Sequence, residues 1–573
     1  MAGHFRIELS SGSEAGAGAA PTKGCPAFVD PAVRVWSDTP VIRIGDHGCI
    51  IGHLFEGVQL SRRITELDDV TVQAILASEG RSLLTDFWGA YVAVIVGDGG
   101  TVSVLRDPSG QLPCYYRSKS GSLILGSDVE DLATRGPGAV NFEQVGRLLI
   151  SLDAIGRDTC LTGISELLAG ECITRSTAGT SLSVWWTPWR WTDPGQQIHF
   201  DAAAAKLRRV TTNCVRSWGG CFESILLGVS GGLDSSIVAC TVQPHTMLHC
   251  LNLVSNDPHG DERSYAARLA TVLDRPLHER HYALSSVDVE EPVARHHPWP
   301  VAPYFMQSIA AIHSQFRANH HIEAHFSGNG GDNVFCSLRT AAPFVDRFLS
   351  QGSRSGVMTT LRDLSVLTGA DGMTILRHAW DIYRRAGHAP RIASDTSGLS
   401  KSMSETLVPD RSLHPWLDVP KNALPGKIGH VKQLIRAQRS IELYPRKTHP
   451  IHIAPLLSQP IIELCLAIPT WLWVNEGKNR AVARAAFEGI VPQELLQRTS
   501  KGGPSGFMRK IYQSQGRKAE DMLRGGMLAK AGMLDLSIFD GAGQPTPDGS
   551  NRARRILTLC AAETWARWWS NAI

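Results

Sequence analysis

The sequence predicts an α/β protein of two unlike halves. Residues 41–185 hold short apolar runs broken by Gly and Asp, the texture of a strand-rich domain. From residue 201 onward, apolar strands and helices alternate. A β-α-β-α rhythm implies a parallel sheet with helices on its faces. Between them, residues 185–195 read Trp-Trp-Thr-Pro-Trp-Arg-Trp-Thr-Asp-Pro-Gly, and two prolines and a glycine mark a junction. The expected domains are therefore 1–195 and 196–573, with the aromatic residues of the junction clamped to a neighbouring surface.

The elements follow in order. Residues 11–27 are a small-residue loop. Strands are expected at 41–44, 90–96, 101–105 and 123–125, with Gly97, Asp98, Gly99 and Gly100 supplying turn chemistry. A helix follows at 142–151, and an amphipathic helix at 201–214. Then come a strand at 225–229, a helix at 237–242, a strand at 248–254 and a helix at 265–273. Residues 340–445 read as helical, with 391–430 a mobile loop rich in Ser, Pro and Lys.

Composition excludes several classes. At 573 residues, 43% hydrophobic and 19% charged, the chain can bury sizeable cores and is not disordered. A net charge of +3 argues against a nucleic-acid coat. Apolar runs such as 91–96 are too short to span a bilayer. No secretory leader is visible. The twelve cysteines are scattered without a C-x-x-C pair and read as reduced. A cytoplasmic protein is expected, with neither nucleic acid nor membrane as partner.

The strongest local signal is Ser230-Gly231-Gly232-Leu233-Asp234-Ser235-Ser236, between a predicted strand and a predicted helix. Two glycines let the backbone approach an anion, and a helix N-terminus offers free N–H groups to phosphate. Ser230, Ser235 and Ser236 add hydroxyl donors. Asp234 makes sense beside phosphate once Mg²⁺ lies between them. A second Gly-rich acidic turn is Ser327-Gly328-Asn329-Gly330-Gly331-Asp332.

The first heptapeptide resembles the pyrophosphate loop of the ATP-pyrophosphatases, which adenylate a carbonyl oxygen and release pyrophosphate. The G-K-[ST] of a Walker A loop is absent. The second turn is similar to the S-G-x-G-x-D turn of asparagine synthetases. That resemblance implies that Ser327 and Gly328 line the nucleotide, that Asp332 joins Asp234 on Mg²⁺, and that the Leu253 backbone contacts adenine. ATP and Mg²⁺ are the implied cofactors. In the first half, residues 87–91, 106–116, 126–128 and 162–170 look like the glutaminase domain of class B asparagine synthetases, which implies an Ntn-type αββα fold. The fold class is thus α/β: a glutaminase-like domain followed by an ATP-pyrophosphatase synthetase domain.

The resemblance departs at the N-terminus. A glutaminase of this kind uses a cysteine nucleophile after Met removal. Position 2 is Ala and the first cysteine is Cys25, so the amine is expected to come from the substrate. Relatives without that cysteine include β-lactam synthetases and lasso peptide cyclases. Residues 328–336 look more like the cyclases, because Asn329 stands where β-lactam synthetases carry tyrosine and asparagine synthetases glutamate. The resemblance implies macrolactam formation on a precursor peptide, with a leader peptidase and a leader-recognition protein as partners. The alternative is a β-lactam synthetase-like or other small-molecule amide ligase.

Two catalytic groups are implied. Lys501, in Arg-Thr-Ser-Lys-Gly-Gly, matches the family's catalytic lysine at the α-phosphate. Glu442 lies near the catalytic glutamate of β-lactam synthetases; the other reading is a structural ion-pair partner. The basic run 498–518 fits phosphates, an acidic leader peptide or a solvated helix. His320, His321, His325 and Glu323 lack metal-ligand spacing. Residues 299–305 and 391–430 are candidate walls of a substrate cavity.

Overall fold

The apolar run around residue 90 becomes the ten-residue strand Phe87–Val96, with nine residues buried. A strand buried on both faces lies between two layers, and that is its position in the computed structural model. The structure describes residues 3–9, 25–57, 62–119, 121–151, 156–193, 198–242, 246–255, 257, 260–300, 302–352, 356–386, 394–407, 414–440, 444–447, 449–499, 502–540 and 549–571.

The strands of the first half are β1 (Phe5–Leu9), β2 (Phe28–Asp30), β3 (Val33–Ser37), β4 (Val41–Arg43), β5 (Gly48–Glu56), β6 (Arg62–Ile64), β7 (Phe87–Val96), β8 (Val102–Arg106), β9 (Tyr115–Lys119), β10 (Ser122–Gly126), β11 (Ser165–Glu166), β12 (Glu171–Ser176) and β13 (Gly179–Val184). They form two antiparallel sheets. One has the order β11-β9-β10-β1-β3-β2; the other runs β13-β12-β8-β7-β5-β4, with β6 beside β5. Apolar side chains of both share one core, among them Ile7, Val35, Ile50 and Val92. Helix Asp69–Ala77 adds Val72 and Ile75 to it. Helix Phe142–Ile150 buries Val145 and Leu148 beside Tyr115. This is the glutaminase-like αββα layering.

Five strands form the second half's sheet: β14 (Ser224–Gly228), β15 (Met247–Val254), β16 (Leu277–His281), β17 (Ala324–Phe326) and β18 (Ile451–Ile453). All pair in parallel, in the order β16-β15-β14-β17-β18. The chain enters at the centre, builds outward through β16, then crosses back to β17. Strand order therefore reverses between β14 and β17, and ligands of open α/β sheets bind outside the carboxyl ends at such a reversal.

The junction is anchored as its aromatic composition suggests. Trp185 and Trp186 are buried. Trp186 Nε1 donates to Glu463 at 2.8 Å, and Trp189 Nε1 donates to the Trp416 carbonyl at 2.9 Å. All twelve cysteines are unpaired thiols. Two readings need correction. The helix expected at 237–242 is Leu233–Thr241, because the turn glycines end directly on its first residue. Residues 391–430 are not one loop. Their described part holds helix Lys401–Leu407, a turn at Pro415–Leu417 with Trp416 buried, and the start of helix Pro425–Gln438. Pro425 sits in the helix's first turn, where its missing N–H costs nothing.

Glu463 ties stability to pH. Burial pushes its carboxyl from the usual 4.5 up to about 7, opposed by hydrogen bonds from Gln459 and Trp186. The folded state therefore holds a proton that the unfolded chain releases, so stability falls as pH rises from about 4.5 to about 7. Glu463→Gln is expected to exceed the parent chain in stability at pH 8 by roughly 1–2 kcal/mol, and by less at pH 5. Paired thermal melts at the two pH values check this; an equal difference at both would contradict it.

Candidate active site

Both sequence turns emerge at the strand reversal. After β14, Ser230, Gly231 and Gly232 lead into helix Leu233–Thr241. Gly231 has φ +62°, and a Cβ there would collide with Tyr265, so only glycine fits. Ser230 Oγ accepts the Gly232 N–H at 3.2 Å and lies 3.2 Å from Ser235 Oγ. Ser235 Oγ is 3.3 Å from the Gly232 carbonyl, to which it donates. Ser236 is buried, and its Oγ has no partner among the described residues.

After β17, Ser327 and Gly328 lead to the short helix Gly331–Val334, which carries Asp332. The two turns touch backbone to backbone. A Cβ on Gly328 would lie 2.5 Å from Ser235 N and 2.8 Å from the Asp234 carbonyl carbon. A Cβ on Gly331 would run into the Asp234 carboxylate. Asn329 Nδ2 donates to the Ser440 carbonyl at 3.1 Å.

Asp234 and Asp332 converge on one cationic nitrogen. Arg480 Nη1 is 2.9 Å from both Asp234 oxygens and 2.6 Å from Asp332 Oδ1. Arg480 has φ +53°, an uncommon conformation for a residue with a Cβ. It precedes helix Ala481–Ala486. Beside it, burial and the Arg480 charge push Arg484 down to about 10, opposed by Asp234 and Asp332. Two carboxylates that meet on a point charge fit a shared Mg²⁺, since that ion takes oxygen ligands from one or two carboxylates and from phosphates.

A third segment closes the crevice. Arg498 Nη1 donates to the Ser230 carbonyl at 2.9 Å, and Nη2 pairs with Glu262 at 2.7 Å. Its guanidinium lies 4.1 Å from the Tyr265 ring centroid. Gly502 N–H donates to the same Glu262 oxygen at 3.1 Å. Arg498 and Gly502 flank Lys501. Lys501 itself and Glu442 lie outside the described residues.

The structure thus brings together Ser230, Gly231, Gly232, Asp234, Ser235, Ser236, Ser327, Gly328 and Asp332. Leu253 is on β15, next to the loop strand, and its side chain packs near Leu226, Leu251 and Phe316. The sequence reading missed Arg480 and assigned Glu262 no role. Arg480 stands in the polar stretch Asn-Glu-Gly-Lys-Asn-Arg, which carries no motif. The run 498–518 divides: Arg498 turns inward to the loop, while Lys518 pairs outside with Asp288 and Glu290. Among the described residues no group of three His, Cys, Asp or Glu side chains could hold a metal. His325 is buried in β17, where burial and neighbouring histidines push it down to about 2.

Four cysteines of the glutaminase-like half, Cys49, Cys114, Cys160 and Cys172, are buried thiols. Burial pushes Cys49 and Cys114 up to about 12 and Cys172 to about 11, and raises Cys160 further. Arg446, from the synthetase half, reaches the start of β1. It donates to the Gly3 carbonyl at 3.3 Å and the Gln111 carbonyl at 2.9 Å. Lys447 pairs with Asp131 at 2.7 Å, and His4 bonds the same carboxylate.

A cavity of about 1210 Å³ opens between the halves. The first half contributes Leu148–Ser151; the second contributes Ala302–Phe305, Asp395, Arg436, Arg509 and Arg555. Pro504 and Ser505 line it as well, directly after the segment clasped to Glu262.

Comparison with curated proteins gives no significant match. Solved structures similar to this chain include one titled the allosteric regulatory enzyme of purine biosynthesis. It is 13% identical, with 55% of this chain and 82% of that one covered and a TM-score of 0.19. Another is a glutamine phosphoribosylpyrophosphate amidotransferase from B. subtilis complexed with ADP and GMP. It is 11% identical, with 58% and 71% covered and a TM-score of 0.19. Likeness this low says nothing of chemistry. Family models are more informative. A glutamine amidotransferase domain model matches residues 60–186, and an asparagine synthase model matches 206–410 and 452–567. The second match spans more than half of the chain and includes both acidic turns, Arg480 and the 498–502 segment. The chain therefore belongs to the asparagine synthase family of ATP-dependent, amide-forming ligases.

Proposed function

We propose that this ligase closes a macrolactam on a precursor peptide in the cytoplasm, as a lasso peptide cyclase does. An Asp or Glu side-chain carboxylate of the peptide attacks the α-phosphorus of ATP. The bond to the β-phosphate breaks, and pyrophosphate leaves. The peptide's own N-terminal amine then attacks the acyl carbon, AMP departs with the C–O electron pair, and an isopeptide bond remains.

The described residues of the crevice, and Lys501 and Glu442 outside them, each have a task in that scheme. The Ser230–Ser236 turn and the helix after it cradle phosphate. Ser327, Gly328 and the Leu253 backbone border the nucleotide. Asp234 and Asp332 would hold Mg²⁺, which neutralises charge on the departing pyrophosphate. Lys501 supplies a cation for the α-phosphate and the developing oxyanion. Glu442 accepts the amine proton; an α-amine with a pKa near ~8 needs only a weak base.

The cavity carries this reading. A small amino acid needs a pocket of a few hundred Å³, of the kind usual for small ligands, whereas about 1210 Å³ suits a folded peptide loop. A leader peptidase and a leader-recognition protein would deliver the trimmed peptide.

The test is mass spectrometry of the protein with ATP, Mg²⁺ and synthetic core peptides encoded near its gene. Loss of one water from a peptide, with AMP in equal amount, is the expected result. ADP as product, or an absolute need for glutamine, would overturn it. Turnover of a small amino acid alone would transfer the activity to the β-lactam synthetase class.

A further inference from the structure

Away from the crevice, helices Ala342–Gln351, Val357–Thr368 and Gly372–Tyr383 form a layer around their own small core. Seventeen large apolar side chains stand exposed among the described residues, and eight lie in this layer. Scattered apolar side chains are normal on a surface; a concentrated set marks an interaction site.

The set is ordered. Helix Gly372–Tyr383 buries Ile375 and Ala379 against the layer's core. On its other side it exposes Met373 (68%), Leu376 (38%), Trp380 (59%) and Tyr383 (41%). The steps between these residues are three, four and three, the a/d spacing of a helix-pairing seam. Trp380 and Tyr383 stack with ring centroids 5.8 Å apart, and Phe348 extends the face 6.0 Å from Tyr383. If the seam is written as a heptad, the e positions are Arg377 and Arg384, both exposed.

We propose that this face docks an acidic amphipathic helix of another protein. The charge pattern selects that occupant. A second copy packed antiparallel would set e against e, arginine against arginine, which is repulsive. Packed parallel, it would set those arginines against the g positions, which are the uncharged Gly372 and Ala379. A partner helix with Leu or Ile on its seam and Glu at its edges would satisfy both the apolar strip and the arginines.

The probes are a synthetic helical peptide with Leu at a and d and Glu at the flanking positions, its Lys-flanked counterpart, and phosphatidylglycerol vesicles. Calorimetry with the full chain should show binding of the Glu peptide, and the Lys peptide at least tenfold weaker. Trp380→Glu and Arg377→Glu/Arg384→Glu should each weaken binding tenfold or more. Because these side chains are exposed, the thermal midpoint should not move. No binding of the Glu peptide, or equal binding of both peptides, would overturn the proposal. So would a dimer that Trp380→Glu dissociates, which assigns the face to a second copy. Vesicle binding lost in the same variants, without peptide binding, would assign it to lipid.

Discussion

Asp234→Asn should slow pyrophosphate release by about 10³-fold while leaving the protein folded. Asp234 holds Arg480 through two contacts of 2.9 Å, and Asp332 holds the same nitrogen at 2.6 Å. The amide keeps the size of the carboxylate but removes its charge. The site then lacks half of the negative charge that would carry a cation to the triphosphate. A loss of about 10³-fold in adenylation is expected, equivalent to ~4 kcal/mol of barrier. Arg480 retains Asp332, so the stability cost should stay below the ~3–5 kcal/mol of a buried pair broken outright. Adding Asp332→Asn removes the second partner, and the thermal midpoint should then drop clearly. Pyrophosphate release and calorimetry on the single and double variants separate the two effects. Full turnover by Asp234→Asn would refute the assignment of the crevice.

Gly328→Ala is expected to give the second largest loss. The added methyl would sit 2.5 Å from Ser235 N, 2.8 Å from the Asp234 carbonyl carbon and 3.0 Å from Ser235 Cα. These are backbone atoms at the start of a helix, so no side chain can swing aside. One turn must move away from the other, and a displacement near ~1 Å at a catalytic centre costs about 10²-fold. Overpacking of this kind also destabilises by roughly 1–3 kcal/mol. Gly525→Ala is the control, since nothing lies within 4 Å of a Cβ there and no left-handed φ is needed. It should leave adenylation unchanged. Activity in Gly328→Ala equal to that of the control would mean that the two turns need not touch during turnover.

The sequence by itself determined the local parts of this protein. Ser230–Ser236 announced a tight strand-to-helix turn because backbone dihedrals and cap hydroxyls are properties of neighbouring residues. The same holds for β7, whose apolar run has one stable environment, and for the junction at Trp185 and Trp186, whose area demands burial. The asparagine synthase relationship was legible for the same reason: its motifs are contiguous.

Tertiary structure alone decided how those parts meet. Arg480 carries no motif. Its left-handed backbone and its position between Asp234 and Asp332 arise where helix Ala481–Ala486 packs against helix Phe200–Gly219. Glu262 joins Arg498 and Gly502 across a stretch of chain that no periodicity connects. The helices within 391–430 escaped notice because Ser, Pro and Lys fit a loop as well as a capped helix, and burial of Trp416 and Leu407 settled the choice. The cavity between the halves likewise depends on long-range packing. Contacts of that kind depend on the shapes of surfaces distant in sequence, and local composition does not encode them.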